Sequence, residues 1–252
     1  MGQIARLAGI KIFGNLWAHS TAGSAPRLQR GGQRFEPAWV HRIAKNFKQE
    51  QSEDRRKKYM SKRVIIVHGW GSRPNSGWFV WLKKELEKRG FEVFCPFLPK
   101  PDEPRIKNWI PALEMIVGKP DEQTYFVGHS MGCQTIARYL ATLPEGVKVG
   151  GVVFVGGFFR RLMNLDVDEQ ERSITNEWLN TPLDLLAVKK HMKKSVAIFS
   201  DNDRYVPIEN QEDFRDFLGS KIVVEHGKGH FYQGGEMKEL PSALKAIMEI
   251  AK

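Results

Sequence analysis

The sequence predicts a three-layer α/β/α sandwich with a mainly parallel six-stranded sheet, occupying residues 61–252. Three observations predict it. Short apolar, β-branched or aromatic runs at 64–67, 91–95, 123–127, 149–155, 195–200 and 221–225 read as strands. Segments with helical spacing of apolar residues lie between them, and strands alternating with helices form a parallel sheet covered on both faces. A glycine-flanked turn, Gly128–Gly132, joins the third run directly to a helical pattern.

The elements follow in order. Val64-Ile65-Ile66-Val67 is wholly apolar and β-branched, as expected of a buried parallel strand. Ile106, Trp109, Ile110, Leu113, Ile116 and Val117 recur at helical spacing, as do Cys133, Ile136, Ala137 and Leu140. Met237, Leu240, Leu244, Ile247, Met248 and Ala251 predict a closing helix. Residues 156–194 are the longest stretch without a strand, and they are expected to cap a site. No repeat of 20–50 residues is visible.

Composition excludes several classes. With 41% apolar and 27% charged residues the chain is an ordinary globular one. No uncharged run exceeds 15 residues, too short for a membrane-spanning helix. Two cysteines, Cys95 and Cys133, do not make a disulfide framework and fit a reducing compartment, so a cytoplasmic location is expected. The net charge of +10 is concentrated: residues 1–60 hold 12 Lys/Arg against 4 Asp/Glu, and residues 61–252 hold 27 against 25. Residues 1–60 are therefore read as a basic, disordered extension, with a short amphipathic helix at 37–48 carrying Trp39, Val40, Ile43 and Phe47. A nucleic-acid partner would rest on that extension alone and is not expected. The extension is either upstream of a true start at Met60, the favoured reading, or a targeting segment, since its first 35 residues contain Arg and no acid.

The chemistry gathers around Gly128-His129-Ser130-Met131-Gly132, a G-x-S-x-G sequence between a strand and a helix. Such a turn is so tight that side chains on its flanks would collide with neighbouring backbone, and the helix N-terminus beneath Ser130 favours negative charge. A serine hydroxyl needs a base. Of seven histidines, His19 and His41 lie in the extension, His68 and His129 adjoin glycines beside the site, and His191 lies in a Lys-rich stretch. His226 ends a strand. His230 sits in Gly227-Lys228-Gly229-His230-Phe231, in a loop at the sheet edge that faces Ser130. His226-x-x-x-His230 has a metal-like spacing, but the intervening glycines argue against a helix and no third ligand is evident, so no metal is expected.

The orienting acid must follow a strand between Ser130 and His230. Both Asp201 and Asp203, at the end of the 195–200 run, qualify, and one of them is an ordinary turn residue. An oxyanion needs two donors. The Met131 N–H directly follows the serine, and the Trp70 N–H lies in His68-Gly69-Trp70-Gly71, after the first strand. Trp78, Phe158, Phe159 and Trp178 are candidates for an apolar substrate pocket, although large aromatics are more often core. Gly69-x-Gly71 is followed by Pro74 where a dinucleotide site wants glycine, and no phosphate-binding loop occurs, so no cofactor is expected.

Together these residues resemble the α/β-hydrolase superfamily, and within it the small serine-hydrolase branch of retinoblastoma-binding protein nine and YdeN-like proteins. The likeness covers residues 61–252, through His68-Gly69, Trp78–Leu82, Pro99–Trp109, Gly128–Gly132, Asp201–Pro207 and Gly229-His230-Phe231. It implies a compact α/β-hydrolase fold with little lid, Ser130 as nucleophile, His230 as base and Asp203 as acid, four residues before Pro207. The expected function is that of a serine hydrolase cleaving a small ester, thioester or amide through an acyl-enzyme on Ser130. The alternative is a binding or scaffold protein that keeps the fold with little turnover.

Overall fold

The computed structural model describes residues 61–164, 168–232 and 237–252. The basic extension, its 37–48 helix and the boundary at 60 lie outside the described residues.

Six strands form one parallel sheet: β1 (Arg63–Val67), β2 (Glu92–Phe94), β3 (Thr124–His129), β4 (Gly151–Val155), β5 (Ser195–Ser200) and β6 (Lys221–Glu225). Their order across the sheet is β2-β1-β3-β4-β5-β6. In register, Val64 lies opposite Tyr125 and His129 opposite Val155. The helices are α1 (Phe79–Glu87), α2 (Ile106–Val117), α3 (Met131–Ala141), α4 (Glu169–Asn180), α5 (Leu185–Lys190), α6 (Gln211–Asp216) and α7 (Pro241–Ile250).

Strand alternation sorts the core into two layers. Val64 and Ile66 of β1 point to one face with Val127, Val153 and Ile198, where Leu82 and Leu86 of α1 and Ala243 and Ile247 of α7 meet them. Ile65 and Val67 point to the other face with Phe126, Phe154 and Phe199, and pack on Trp109 and Leu113 of α2, Ile136 and Leu140 of α3, Trp178 of α4 and Phe214 of α6. Helices on both faces of one sheet give the three predicted layers.

Four details differ from expectation. β3 runs on to His129 because the next amide, Ser130 N–H, still donates to Val155 O at 2.9 Å. β4 starts at Gly151, while Val149 makes an isolated bridge to Met192. The closing helix starts at Pro241 rather than Met237, since proline suits a first helical turn, where its missing N–H would have no partner. Hydrophobic spacing did not single out α1, α4, α5 or α6.

The chain leaves β1 toward β2 on one side and returns to β3 on the other. That reversal opens a crevice at the carboxyl ends of β1 and β3. The two turns singled out in the sequence, His68–Gly71 and Gly128–Gly132, meet there.

Candidate active site

Ser130 stands between β3 and α3 at φ 52° and ψ −119°, a left-handed conformation that a residue with a side chain rarely adopts. Close packing on both sides enforces it. A Cβ on Gly132 would lie 2.2 Å from Val67 O, and one on Gly128 would lie 2.9 Å from the Cys133 backbone. α3 therefore presses directly on β1, and the turn lifts Ser130 to the floor of a cavity of about 580 Å³.

His230 lines the same cavity. Its Nδ1 is 2.7 Å from Asp203 Oδ2, and the carboxylate is almost fully buried behind it. The other oxygen of Asp203 accepts from the amides of Tyr205 and Val206, so both oxygens are engaged. Asp201, the second sequence candidate, points elsewhere: it takes the Gly227 amide and pairs with His226 Nδ1 at 2.6 Å in solvent. The Gly227 amide, and then His226, hold its carboxyl below the usual range. Two Asp–His pairs thus stand side by side, and the one formed by Asp203 reaches the cavity.

The loop that carries His230 is clasped by the end of β5 and the segment that follows it. Asp201 accepts from the Gly227 amide, Ser200 Oγ from Lys228 and Asn202 Oδ1 from Gly229. From the other side, Trp78 Nε1 donates to Phe231 O at 2.9 Å. Phe231 has a positive φ of 56°, so this grip holds a conformation that the chain would not otherwise favour.

Trp70 and Met131 both line the cavity. In their loops Gly71 N–H donates to Pro101 O and Ser72 N–H to Gly69 O, whereas the Trp70 and Met131 amides find no partner among the described turn and loop carbonyls. His68 is fully buried; its Nδ1–H donates to Gly69 O and its Nε2 accepts from Leu98 N–H. Burial lowers its pKa and keeps it neutral.

Of the four pocket candidates, Phe158 lines the cavity. The other three do not. Trp78 is buried behind the His230 loop, against Phe79 and His129. Trp178 is sealed between α2 and α3, its Nε1 donating to Pro104 O. Phe159 stacks on Phe214 at 4.5 Å, away from the opening. Each ring follows the ordinary tendency of large aromatics to fill the core. Hydrophobic spacing did not reveal Leu162, Asn164, Glu171, Arg204, Tyr205 and Tyr232, which line the wall together with Ser72 and Asp102. Arg204 and Tyr205 directly follow Asp203, the signal that could have found them. Leu162, Asn164 and Glu171 belong to the 156–194 stretch, which thus contributes to the cavity lining. Burial pushes the Cys95 thiol up to about 12 and raises Cys133 as well, so neither is a ready nucleophile.

A family model described as serine hydrolase matches residues 64–249. The chain belongs to that family. Two relatives fit the same picture: YdeN of Bacillus subtilis (strain 168) is 31% identical over 72% of this chain and 92% of its own. The serine hydrolase RBBP9 of Rattus norvegicus is 28% identical over 75% of this chain and 96% of its own. The crystal structure of the B. subtilis ydeN product superposes with a TM-score of 0.68 at 27% identity, covering 75% of this chain and 98% of that one. Est1E of Butyrivibrio proteoclasticus, solved with ferulic acid, has a TM-score of 0.57 at 18% identity over 75% of this chain and 90% of its own, a likeness of fold alone. Among the described residues no helix is long and apolar enough to cross a membrane.

Proposed function

We propose that this family member cleaves small esters, thioesters or amides through an acyl-enzyme on Ser130. The Asp203–His230 hydrogen bond of 2.7 Å, on the cavity that Ser130 also lines, carries the reading. Asp203 orients the imidazole with its proton on Nδ1, leaving Nε2 to take the Ser130 proton as Oγ attacks the acyl carbon. The oxyanion of the tetrahedral intermediate is met by the amides of Met131 and Trp70, which their own loops leave unused. His230 then returns the proton to the departing alcohol, thiol or amine. Water repeats the sequence and releases the acid. The acyl portion packs against Phe158, Leu162 and the other apolar parts of the wall. Two unpaired thiols, Cys95 and Cys133, suit a reducing compartment such as the cytoplasm.

The test is fluorophosphonate labelling together with hydrolysis of p-nitrophenyl esters of increasing acyl length. Wild-type protein should label and turn over. Ser130→Ala should lose the label and several orders of magnitude in rate. Absence of both in folded wild-type protein would favour the binding-protein alternative.

A further inference from the structure

We infer that His129 is a positioning residue: its side chain holds the backbone carbonyl of His230 and so sets where that imidazole stands relative to Ser130. The inference rests on the proposal that His230 is the base.

His129 Nε2 lies 2.8 Å from His230 O. A carbonyl has no proton to give, so Nε2 carries the hydrogen and donates it. The ring is buried, and among the described residues Nδ1 has no hydrogen-bond partner. Among the described residues the bond to His230 is therefore the one hydrogen bond of this costly ring. A buried polar atom left unsatisfied is destabilising, a penalty that an apolar side chain in the same space would avoid. Simple filling against Trp78 and Phe79, whose rings lie 6.0 Å away, does not need an imidazole. Burial lowers its pKa to about 3, so the ring stays neutral and Nε2 keeps the proton it donates.

The place of this bond gives it its purpose. The other described side-chain bonds to residues 227–231 come from Ser200 at the end of β5, from Asp201, Asn202 and Asp203 just after it, and from Trp78 beside α1. β5 is separated from β3 by β4. Without His129, the distance from Ser130 to His230 would be set through two strand pairings and, at the neighbouring Phe231, through the Trp78 indole. With it, the residue adjoining Ser130 grips the backbone of His230 itself. A displacement of about 1 Å between reacting groups costs on the order of 100-fold in rate, so a direct tie at this point matters.

The experiment uses the full chain and p-nitrophenyl acetate, comparing wild type, His129→Leu, His129→Asn, His129→Gln and His230→Gln in kcat, KM and Tm. Glutamine can place an N–H close to the position of Nε2; asparagine, one methylene shorter, cannot reach it. His129→Leu should lose on the order of 10- to 100-fold in kcat with KM within about twofold, and His129→Gln should recover most of the loss while His129→Asn does not. If His129→Leu does not fold, the Gln and Asn variants decide alone. Wild-type kcat in His129→Leu, or equal kcat in the Gln and Asn variants, overturns the inference. If His230→Gln keeps wild-type turnover, the base assignment falls and this inference with it. If His230→Gln is inactive while every folded His129 variant is unimpaired, the positioning role alone falls.

Discussion

Asp201 and Asp203 are two residues apart in one turn, each bonded to a histidine, yet they occupy different environments. Asp203 is sealed and reaches the cavity through His230, whereas Asp201 and His226 are bathed in water. Exposed pairs contribute little, because solvent screens them and ordering two side chains costs entropy. Asp203→Asn should therefore leave the fold intact and reduce kcat by about 10²–10⁴, since the amide presents the wrong partner to Nδ1–H. Asp201→Asn should change kcat by less than about tenfold, through loosening of the Gly227 amide. Steady-state hydrolysis by the two variants decides it; a larger loss in Asp201→Asn would exchange their roles. The residues alone leave this pair unresolved. Which carboxylate turns inward depends on dihedral angles in a loop where both positions hold the same residue type. Ser130 and His230 stood out sooner because glycines and chain order constrain what those two segments can be. Ring size says that a side chain is buried but not that it faces the cavity: Trp178 and Phe159 lie in the same core layer as Phe158 and do not line it.

At the level of elements, the glycines flanking Ser130 are packing requirements between α3 and β1. A methyl on Gly132 would meet Val67 O at 2.2 Å and His68 O at 2.7 Å, both backbone atoms with nowhere to go. Gly132→Ala should push α3 off the sheet, costing on the order of 3 kcal/mol or more and distorting the Ser130 turn. Urea unfolding measures the first effect and fluorophosphonate labelling the second; a stable, fully reactive variant would mean that α3 can shift without harm. This contact was anticipated because the motif sits between strand and helix signals. Strand positions were equally plain, since fully buried parallel strands are short apolar runs. α4 was not. Its sequence EQERSITNEWLN is mostly polar and buries Ile174, Thr175 and Trp178, too few to produce a helical period. Its start was nevertheless marked: Asp168 and Glu171 form a capping box, and Glu171 also borders the cavity. α5 and α6 have six residues each, less than two turns, and carry no periodic signal at all.

For the molecule as a whole, the strand order β2-β1-β3-β4-β5-β6 brings residues from four segments, 68–71, 128–131, 203–205 and 230–232, to one edge of the sheet. That edge also contains two histidines, His68 and His129, buried at the base of the site, and their placement makes global stability depend on pH. Burial lowers both pKa values below the ordinary 6.5, that of His129 to about 3. Above pH 6.5 folded and unfolded chains are alike neutral at these positions, and stability is at its full value. As the pH falls below 6.5, the unfolded chain takes up protons that the folded interior refuses, so the folded state loses ground until the folded pKa is reached. Between pH 6.5 and pH 5, before most carboxylates titrate, His129 alone should withdraw about 2 kcal/mol. His129→Gln removes that proton uptake, because an amide does not titrate in this range. Urea midpoints at pH 7, 6 and 5 should therefore fall more steeply for wild type than for His129→Gln. Parallel slopes would mean that His129 accepts a proton in the folded state, and that water reaches the base of this site.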